Sequence, residues 1–481
     1  MAVQTLALPD PRATDALGMR LSSLLRPGDV VLLQGDLGMG KSALARAIIQ
    51  TATESDDPVP SPTYTLTAEY DTPHGRIVHA DLYRLSGPDE LEETGLTEAF
   101  DMAITLVEWP DRLADMTPPH ALRITLEQDG AGRRATLSGA GGRGAVLCDA
   151  AAAPRDMQRG IFLAQTGFTN AVPVPGDASN RRYYHAGPHI AMDAPYAAGE
   201  DVRPFITVTA MLRGRGLSAP ALYAADSANG FLLLENLGNA LFARLCEDDI
   251  AQEAGLYAAA VDLLHQLDVR DGDAVPAYDL DTLEREAMLL TEWWCPAAGV
   301  AVSADMRAEW AAVVRAAMTG VGATRSTLVL RDYHAENLLW LPDRDGDARV
   351  GLLDYQDALV GHPAYDLVSL LEDARRDVSS DLAEAMITRF LDRRPELDAA
   401  DFRRDYALLG AQRNAKIVGI FSRLCMRDGK PRYLSLIPRV WAHLMRDLDC
   451  EAAAGMRDFI AQHVPAPTPE TLARIAAEHS R

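Results

Sequence analysis

Residues 35–42 read Gly-Asp-Leu-Gly-Met-Gly-Lys-Ser, and the five residues before them are Val-Val-Leu-Leu-Gln. No other stretch limits the fold as strongly. The apolar, β-branched run predicts a strand over 30–34, and the residues after Lys41 suit a helix over 42–52. The turn between them matches G-x-x-x-x-G-K-[ST]. Gly35, Gly38 and Gly40 let backbone N–H groups approach phosphate oxygens, and the helix N-terminus adds positive potential. Lys41 then reaches the outer phosphates and the Ser42 hydroxyl ligates Mg²⁺. A glycine turn without a ligand leaves Lys41 unexplained. It is the only lysine in the first 415 residues of a chain that has three, the others being Lys416 and Lys430.

Such a site needs an acidic partner for the metal or its water. Glu108 closes the strand-like run 104–107, and Asp81 follows the apolar stretch 77–80; both are candidates. Further short strands are expected at 76–79, 123–126 and 135–137, which makes the first segment α/β. The runs GDLGMGKS, SPTYTL (61–66), HADLYRL (79–85) and VEWPDRL (107–113) stand in the motif order of the TsaE family. These are small bacterial ATPases needed for threonylcarbamoyladenosine formation in tRNA, and the likeness covers residues 1–137. The resemblance implies that Lys41 and Ser42 hold ATP and Mg²⁺ and that Thr63 lies in a switch near the γ-phosphate. It implies that Asp81 and Glu108 support the metal and hydrolysis. Trp109 lies by the nucleotide or packs in the core. The implied partners are TsaB- and TsaD-like proteins, with tRNA reached only indirectly.

Residues 138–155 are dominated by Gly and Ala and sustain no apolar period, so they read as a linker. Gly139, Gly141 and Gly144 match G-x-G-x-x-G, but an Ala/Pro stretch stands where a dinucleotide site needs a helix. The second segment, 156–481, divides into a strand-rich small lobe (about 156–237) and a mainly helical large lobe (about 238–481). Strands are expected at 182–185, 189–192, 221–223 and 231–234. Helices are expected at 252–267, 283–294, 306–318, 364–375, 380–391 and 400–424, with short strands at 328–330, 338–341 and 350–353. A small β lobe before a large α lobe is the order of a kinase-like fold.

Residues 330–337 read Leu-Arg-Asp-Tyr-His-Ala-Glu-Asn and carry D-x-x-x-x-N. In a kinase catalytic loop the Asp orients or deprotonates the acceptor hydroxyl and the Asn coordinates Mg²⁺. Asp332 and Asn337 take those positions. Asp354 ends the apolar run 350–353 and fits the second metal ligand. The runs GDASNRRYY (176–184), MDAP (192–195), FLLLENLG (231–238), RDYHAEN (331–337), LLDYQDA (352–358) and QRNAKIVGIF (412–421) resemble the aminoglycoside phosphotransferase-like kinases. They are closest in kind to AmgK, a kinase of the anomeric hydroxyl of N-acetylmuramate and N-acetylglucosamine. The likeness covers roughly 157–445. It implies ATP, Mg²⁺ and an amino-sugar acceptor. The expected whole is an α/β P-loop domain followed by a two-lobed α+β protein-kinase-like (aminoglycoside phosphotransferase-like) domain.

Two departures stand out. Leu330 replaces the His of H-R-D, and no Lys between 42 and 415 can pair the α/β-phosphates from the small lobe. Met192-Asp193 stands in its place, as in AmgK-like sequences. Ser179 lies in the loop expected over the phosphates, and Arg181 or Arg182 can supply their charge or form a solvated basic pair. Glu235–Leu237 reads as the adenine hinge or as an edge strand. His334 touches substrate or is structural, His265 reads as a core histidine, and Asp366 as a cap or buried support. Trp293-Trp294 reads as packing and Glu372-Asp373 as a solvated helix face. Two other readings remain for the second segment: a kinase of another small hydroxyl acceptor (aminoglycoside or choline-like), or a nucleotide-binding pseudokinase scaffold.

The net charge of −23, from 46 basic and 69 acidic residues, excludes a basic phosphate-tracking surface as the bulk character. No apolar run reaches the roughly 18–20 residues that span a bilayer. Five scattered cysteines form no metal spacing and no disulfide framework. A cytoplasmic protein without a leader is the expectation.

Overall fold

The computed structural model describes residues 2–85, 91, 95–175 and 180–479. The chain forms two compact units, one from Met1–Arg203 with Leu222–Asn236, the other from Pro204–Ala221 with Leu237–Arg481.

The first unit contains a seven-stranded sheet in the order β1-β7-β6-β2-β5-β4-β3. Its strands are β1 (Ala2–Leu8), β2 (Val30–Gln34), β3 (Thr67–Thr72), β4 (Gly75–Asp81), β5 (Ile104–Glu108), β6 (Leu122–Asp129) and β7 (Gly132–Gly139). The inner strands β6, β2, β5 and β4 run parallel, while β1, β7 and β3 add antiparallel edges. Strands β2 and β5 are apolar but for Thr105 and the terminal Gln34 and Glu108, because both faces are covered. Val31, Leu33 and Leu106 enter one core with Leu44 and Ile48. Val30, Leu32 and Val107 enter another with Phe100. Helices α1 (Pro11–Leu24), α2 (Lys41–Thr53), α3 (Leu96–Met102) and α4 (Gly142–Ala151) flank the sheet. Helix α1 starts where the Asp10 side chain accepts from Ala13 N–H and proline occupies the first turn.

Residues 138–155 are not a loose linker. Gly139 ends β7, α4 follows at once, and Leu147, Cys148 and Ala151 belong to the core. A Cβ on Gly139 would stand 2.2 Å from the Gly144 carbonyl carbon. The glycines allow the helix to lie close against the strand, and that close packing is what the composition disguised.

The same unit holds an antiparallel sheet ordered β11-β12-β10-β9-β8. Its strands are β8 (Val172–Val174), β9 (Arg182–Ala186), β10 (His189–Asp193), β11 (Leu222–Asp226) and β12 (Phe231–Glu235). Helix α5 (Arg155–Gln165) seals one face, packing Phe162 and Leu163 against Tyr184, Ala191, Phe231 and Leu233.

The second unit is mainly helical. Helix α6 (Arg203–Gly214) falls in a region read as strand-rich and forms although Ile206, Thr207, Val208 and Thr209 are β-branched. Burial of Phe205, Val208, Thr209 and Leu212 nevertheless follows a helical period. The other helices are α7 (Phe242–Asp248), α8 (Glu253–Leu264), α9 (Leu280–Ala287), α10 (Ala304–Met318), α11 (Ala364–Leu371), α12 (Ser380–Asp392), α13 (Ala399–Met426), α14 (Ile437–Asp447), α15 (Ala454–His463) and α16 (Pro469–His479). The helix expected over 283–294 is split: α9 stops at Ala287 and Leu290–Trp294 forms a π turn. Buried Trp294 donates its indole N–H to the Pro465 carbonyl over 2.9 Å, a packing role as expected. The helix expected over 364–375 ends at Leu371. Two short antiparallel pairs complete the unit: β13 (Thr327–Val329) with β16 (Leu359–Gly361), and β14 (Leu338–Trp340) with β15 (Val350–Leu352). No helix among the described residues is long and apolar enough to cross a membrane.

Candidate functional sites

The first site forms at the carboxyl ends of β2, β5 and β4, the end of a parallel sheet where ligands gather. Gly40 holds φ 102° at the start of α2, a conformation that favours glycine. Lys41 folds into its own loop, donating to the carbonyls of Gly35 (2.7 Å) and Asp36 (2.9 Å). Burial draws the lysine below its usual range, against the pull of Glu108, Asp81 and Asp36. Its ammonium also lies 3.9 Å over the Trp109 ring.

Ser42 donates to Glu108 Oε2 over 2.9 Å, and Glu108 Oε1 lies 3.0 Å from His79 Nε2. The parallel register pairs Asp81 with Glu108, so the two carboxylates end adjacent strands. Asp81 accepts from Thr63 (2.7 Å) and Ser61 (3.1 Å), which joins the SPT segment to the strand end. Trp109 takes φ 59°, packs partly against the core and touches Tyr83 at 5.0 Å between centroids. Trp109 thus packs against the core while its ring lies beside Lys41. Sequence reasoning passed over His79. Its signal was its place two residues before Asp81, on the same face of β4.

The second site lies in the second unit. Strand β13 leads to Leu330 and to Arg331, whose φ is 72°. Both of their N–H groups donate to the buried Asp366 carboxylate, at 2.6 and 2.9 Å. The Ser369 hydroxyl donates to the Arg331 carbonyl over 3.0 Å. Asp366 is thus a buried support, pushed up to about 7 by burial although the two N–H groups pull it down. Arg331 is paired with Glu286, which also accepts from Tyr278 and, over 2.9 Å, from Lys416.

With its loop fixed, Asp332 stays exposed, and Asn337 Nδ2 donates to the Asp332 carbonyl over 2.9 Å. Asn337 precedes β14, and Leu353 N–H donates to its carbonyl over 3.0 Å. The β14–β15 pair therefore sets Asn337 beside the residue preceding Asp354. Asp354 has φ 55° and accepts from Gln356 over 2.9 Å. Tyr355 anchors this turn by bonding Thr209 (2.7 Å) and stacking on Phe205 of α6 (5.1 Å). The β14–β15 pair thus ties the loop that carries Asp332 and Asn337 to the turn that carries Asp354. Hard oxygen ligands of this kind suit Mg²⁺, which keeps waters and phosphate oxygens besides one or two protein ligands.

His334 is buried and pushed down to about 3, first by burial and then by Arg375. Its Nε2 accepts from Arg375 (3.2 Å) and lies 3.4 Å from Asn337 Nδ2. His265 stacks on Phe390 and accepts from Arg394, a structural role as expected. Glu372 and Asp373 are not a solvated face, since each is only 1% exposed. Asn414 of α13 and Arg446 of α14 reach Glu372 at 2.7 and 2.8 Å, partners too distant in sequence to foresee.

In the first unit, Ser179 lies outside the described residues. Arg181 pairs with Glu200 over 2.7 Å and is mostly buried, so it does not form a solvated pair with the exposed Arg182. Asp193 is held by Arg155 (2.7 Å) and Arg159 (3.1 Å). Glu235 ends β12, which lies between β11 and β10 and is no edge strand. Leu237 belongs to the second unit and packs beside Gly351 of β15.

Fold and sites together define a P-loop ATPase-type α/β domain joined to a kinase-like phosphotransferase. The model of the family "Threonylcarbamoyl adenosine biosynthesis protein TsaE" matches residues 8–136, and that of the "Phosphotransferase enzyme family" matches 170–403. An N-acetylmuramate/N-acetylglucosamine kinase of Caulobacter vibrioides is 40% identical over 324 residues, 65% of this chain and 88% of the relative. That of Pseudomonas aeruginosa is 34% identical over 307 residues, 60% and 86% of the two chains. The tRNA threonylcarbamoyladenosine biosynthesis protein TsaE of Rickettsia bellii is 40% identical over 106 residues, 22% of this chain and 74% of the relative. The chain belongs to the TsaE family through its first part and to the N-acetylmuramate/N-acetylglucosamine kinases through its second.

Proposed function

We propose that the chain is a bifunctional cytoplasmic protein. Its first part hydrolyses ATP in support of tRNA threonylcarbamoylation, acting with TsaB- and TsaD-like partners that handle the tRNA. Its second part transfers the γ-phosphoryl group of ATP to the anomeric hydroxyl of N-acetylmuramate or N-acetylglucosamine, as cell-wall recycling requires. The observation that supports the kinase reading is the tie between the D-x-x-x-x-N loop and the strand before Asp354: Asn337 donates to the Asp332 carbonyl and accepts from Leu353 N–H.

Asp332 orients or deprotonates the hydroxyl, and Asn337 and Asp354 hold Mg²⁺. The metal neutralises phosphate charge when bound. The remaining catalysis is positioning by a rigid loop. In the first part Lys41 and the glycine loop bind the phosphates, Ser42 and Glu108 hold Mg²⁺, Asp81 and Glu108 support hydrolysis, Thr63 lies in a switch near the γ-phosphate, and Trp109 lies by the nucleotide. Ser179 and Arg181 serve the phosphates of the kinase nucleotide, and Glu235–Leu237 serve its adenine.

The test uses the full chain with Mg²⁺-ATP and each sugar, an aminoglycoside and choline, with products located by phosphorus NMR. A sugar 1-phosphate supports the reading. Phosphate on another acceptor discards the cell-wall role, and no product from any acceptor favours a nucleotide-binding scaffold.

A further inference from the structure

The cations packed around the catalytic loop are almost all committed to fixed partners. Arg331 is paired with Glu286, Arg376 with Glu253 and the Tyr257 hydroxyl, and Arg446 with Glu372. Buried Arg413 donates to Ser369 over 2.7 Å. Arg375 differs. Its side chain is 34% exposed, and its Nε lies 3.2 Å from the Glu336 carboxylate, itself half exposed. Its Nη1 donates to His334 Nε2 over 3.2 Å, and Asn337 lies on the same imidazole nitrogen. Its Nη2 has no hydrogen-bond partner among the described residues. The partly exposed Arg375 therefore bonds directly to His334 of the loop that carries Asp332.

A chain with a net charge of −23 repels anions, so an anionic acceptor needs a local cation at the site. The two proposed acceptors differ by one group of that kind: N-acetylmuramate is N-acetylglucosamine with a lactic acid ether-linked to O3. Guanidinium matches carboxylate as a two-pronged donor. The Glu336 pair does not prevent this, because exposed ion pairs are weak and exchange readily.

We propose that Arg375 anchors the lactyl carboxylate of N-acetylmuramate and so sets the preference between the two sugars. The proposal rests on the amino-sugar reading above. The arriving carboxylate displaces Glu336, which swings into water, and takes the Nε and Nη2 edge. His334 keeps Nη1 and holds the fork in place.

The test measures kcat/KM of the full chain for N-acetylmuramate, its carboxamide and N-acetylglucosamine. Wild type is expected to prefer the acid to the amide by about 10-fold or more. Arg375→Met removes that preference and lowers the muramate-to-glucosamine ratio by a similar factor. Glu336→Gln raises the ratio. Equal loss on both sugars in Arg375→Met overturns the proposal, since the arginine then acts through His334 or on the phosphoryl group. Wild type that does not tell acid from amide also overturns it, and that comparison needs no variant to fold. Turnover of neither sugar by wild type fails the amino-sugar reading and the proposal together, whereas turnover without acid–amide discrimination fails the proposal alone.

Discussion

The Lys41 ammonium stands 3.9 Å over the Trp109 ring while it donates to the carbonyls of Gly35 and Asp36. The lysine meant for phosphate is thus occupied by its own loop and by the indole. Phosphate oxygens must draw it away from both, since each interaction satisfies the same charge. ATP should therefore change Trp109 emission, seen as the difference between titrations of wild type and Trp109→Phe. Lys41→Ala should abolish the change. An unchanged difference signal at saturating ATP would contradict the exchange.

Glu108 is shared by Ser42 and His79. His79 is buried and orients the carboxylate without reaching the loop. If Glu108 holds the metal as proposed, His79→Asn should slow ATP hydrolysis by about 10- to 100-fold, the usual effect of losing a residue behind a ligand. ATP affinity should change far less. Steady-state hydrolysis set beside equilibrium binding separates the two effects.

Asp332 and Lys41 belong to different sites. Asp332→Asn should lower sugar phosphorylation by roughly 10²- to 10⁴-fold, the range of a lost acid–base group, while the Lys41-dependent ATPase persists. Lys41→Ala should do the reverse. Loss of both activities in either variant would rule out two independent sites.

Lys416 and Arg331 converge on buried Glu286 beneath the catalytic loop. Arg331 still pairs with Glu286 when Lys416 is lost, so the change removes one charge-assisted hydrogen bond, worth about 1.5–3 kcal/mol. Lys416→Met should lower the unfolding midpoint of the kinase transition and reduce kcat. Lys416→Arg should retain more of both. A Lys416→Met protein with wild-type denaturation and kcat would show that the network does not hold the loop.

His334 and Asp366 act in opposite directions on stability. His334 is pushed down to about 3 in the fold, so the unfolded chain takes up the proton below its ordinary value near 6.5. Its contribution is complete above pH 6.5 and is lost as pH falls towards 3. Asp366 is raised to about 7 from an ordinary 3.8, so the fold takes up the proton first and gains stability as pH falls through that window. Each group changes stability by up to about 1.4 kcal/mol per pH unit. Between pH 7 and 5, His334→Asn should improve relative to wild type and Asp366→Asn should worsen, as read from denaturation midpoints. A pH-independent gap in either variant would refute that assignment.

The amino-acid sequence alone placed both motifs on the correct local scaffolds. The loop at 35–42 leads from β2 into α2, and Asn337 and Asp354 flank the β14–β15 pair, with Asp332 in the loop before it. These features are legible because the chemistry and its geometry share a few consecutive residues: a strand, a glycine turn and a helix need no distant partner to be recognised. The reading failed where contact replaced composition. Gly139 and Gly144 look like linker until a helix is packed on a strand. Glu372 and Asp373 look solvated until α13 and α14 close over them. The tertiary structure alone decided that His79 meets Glu108, that Asp366 accepts from the Leu330 and Arg331 amides, and that Arg375 meets His334. Each depends on side chains separated by about 30 residues or more, brought together by packing that no local pattern encodes.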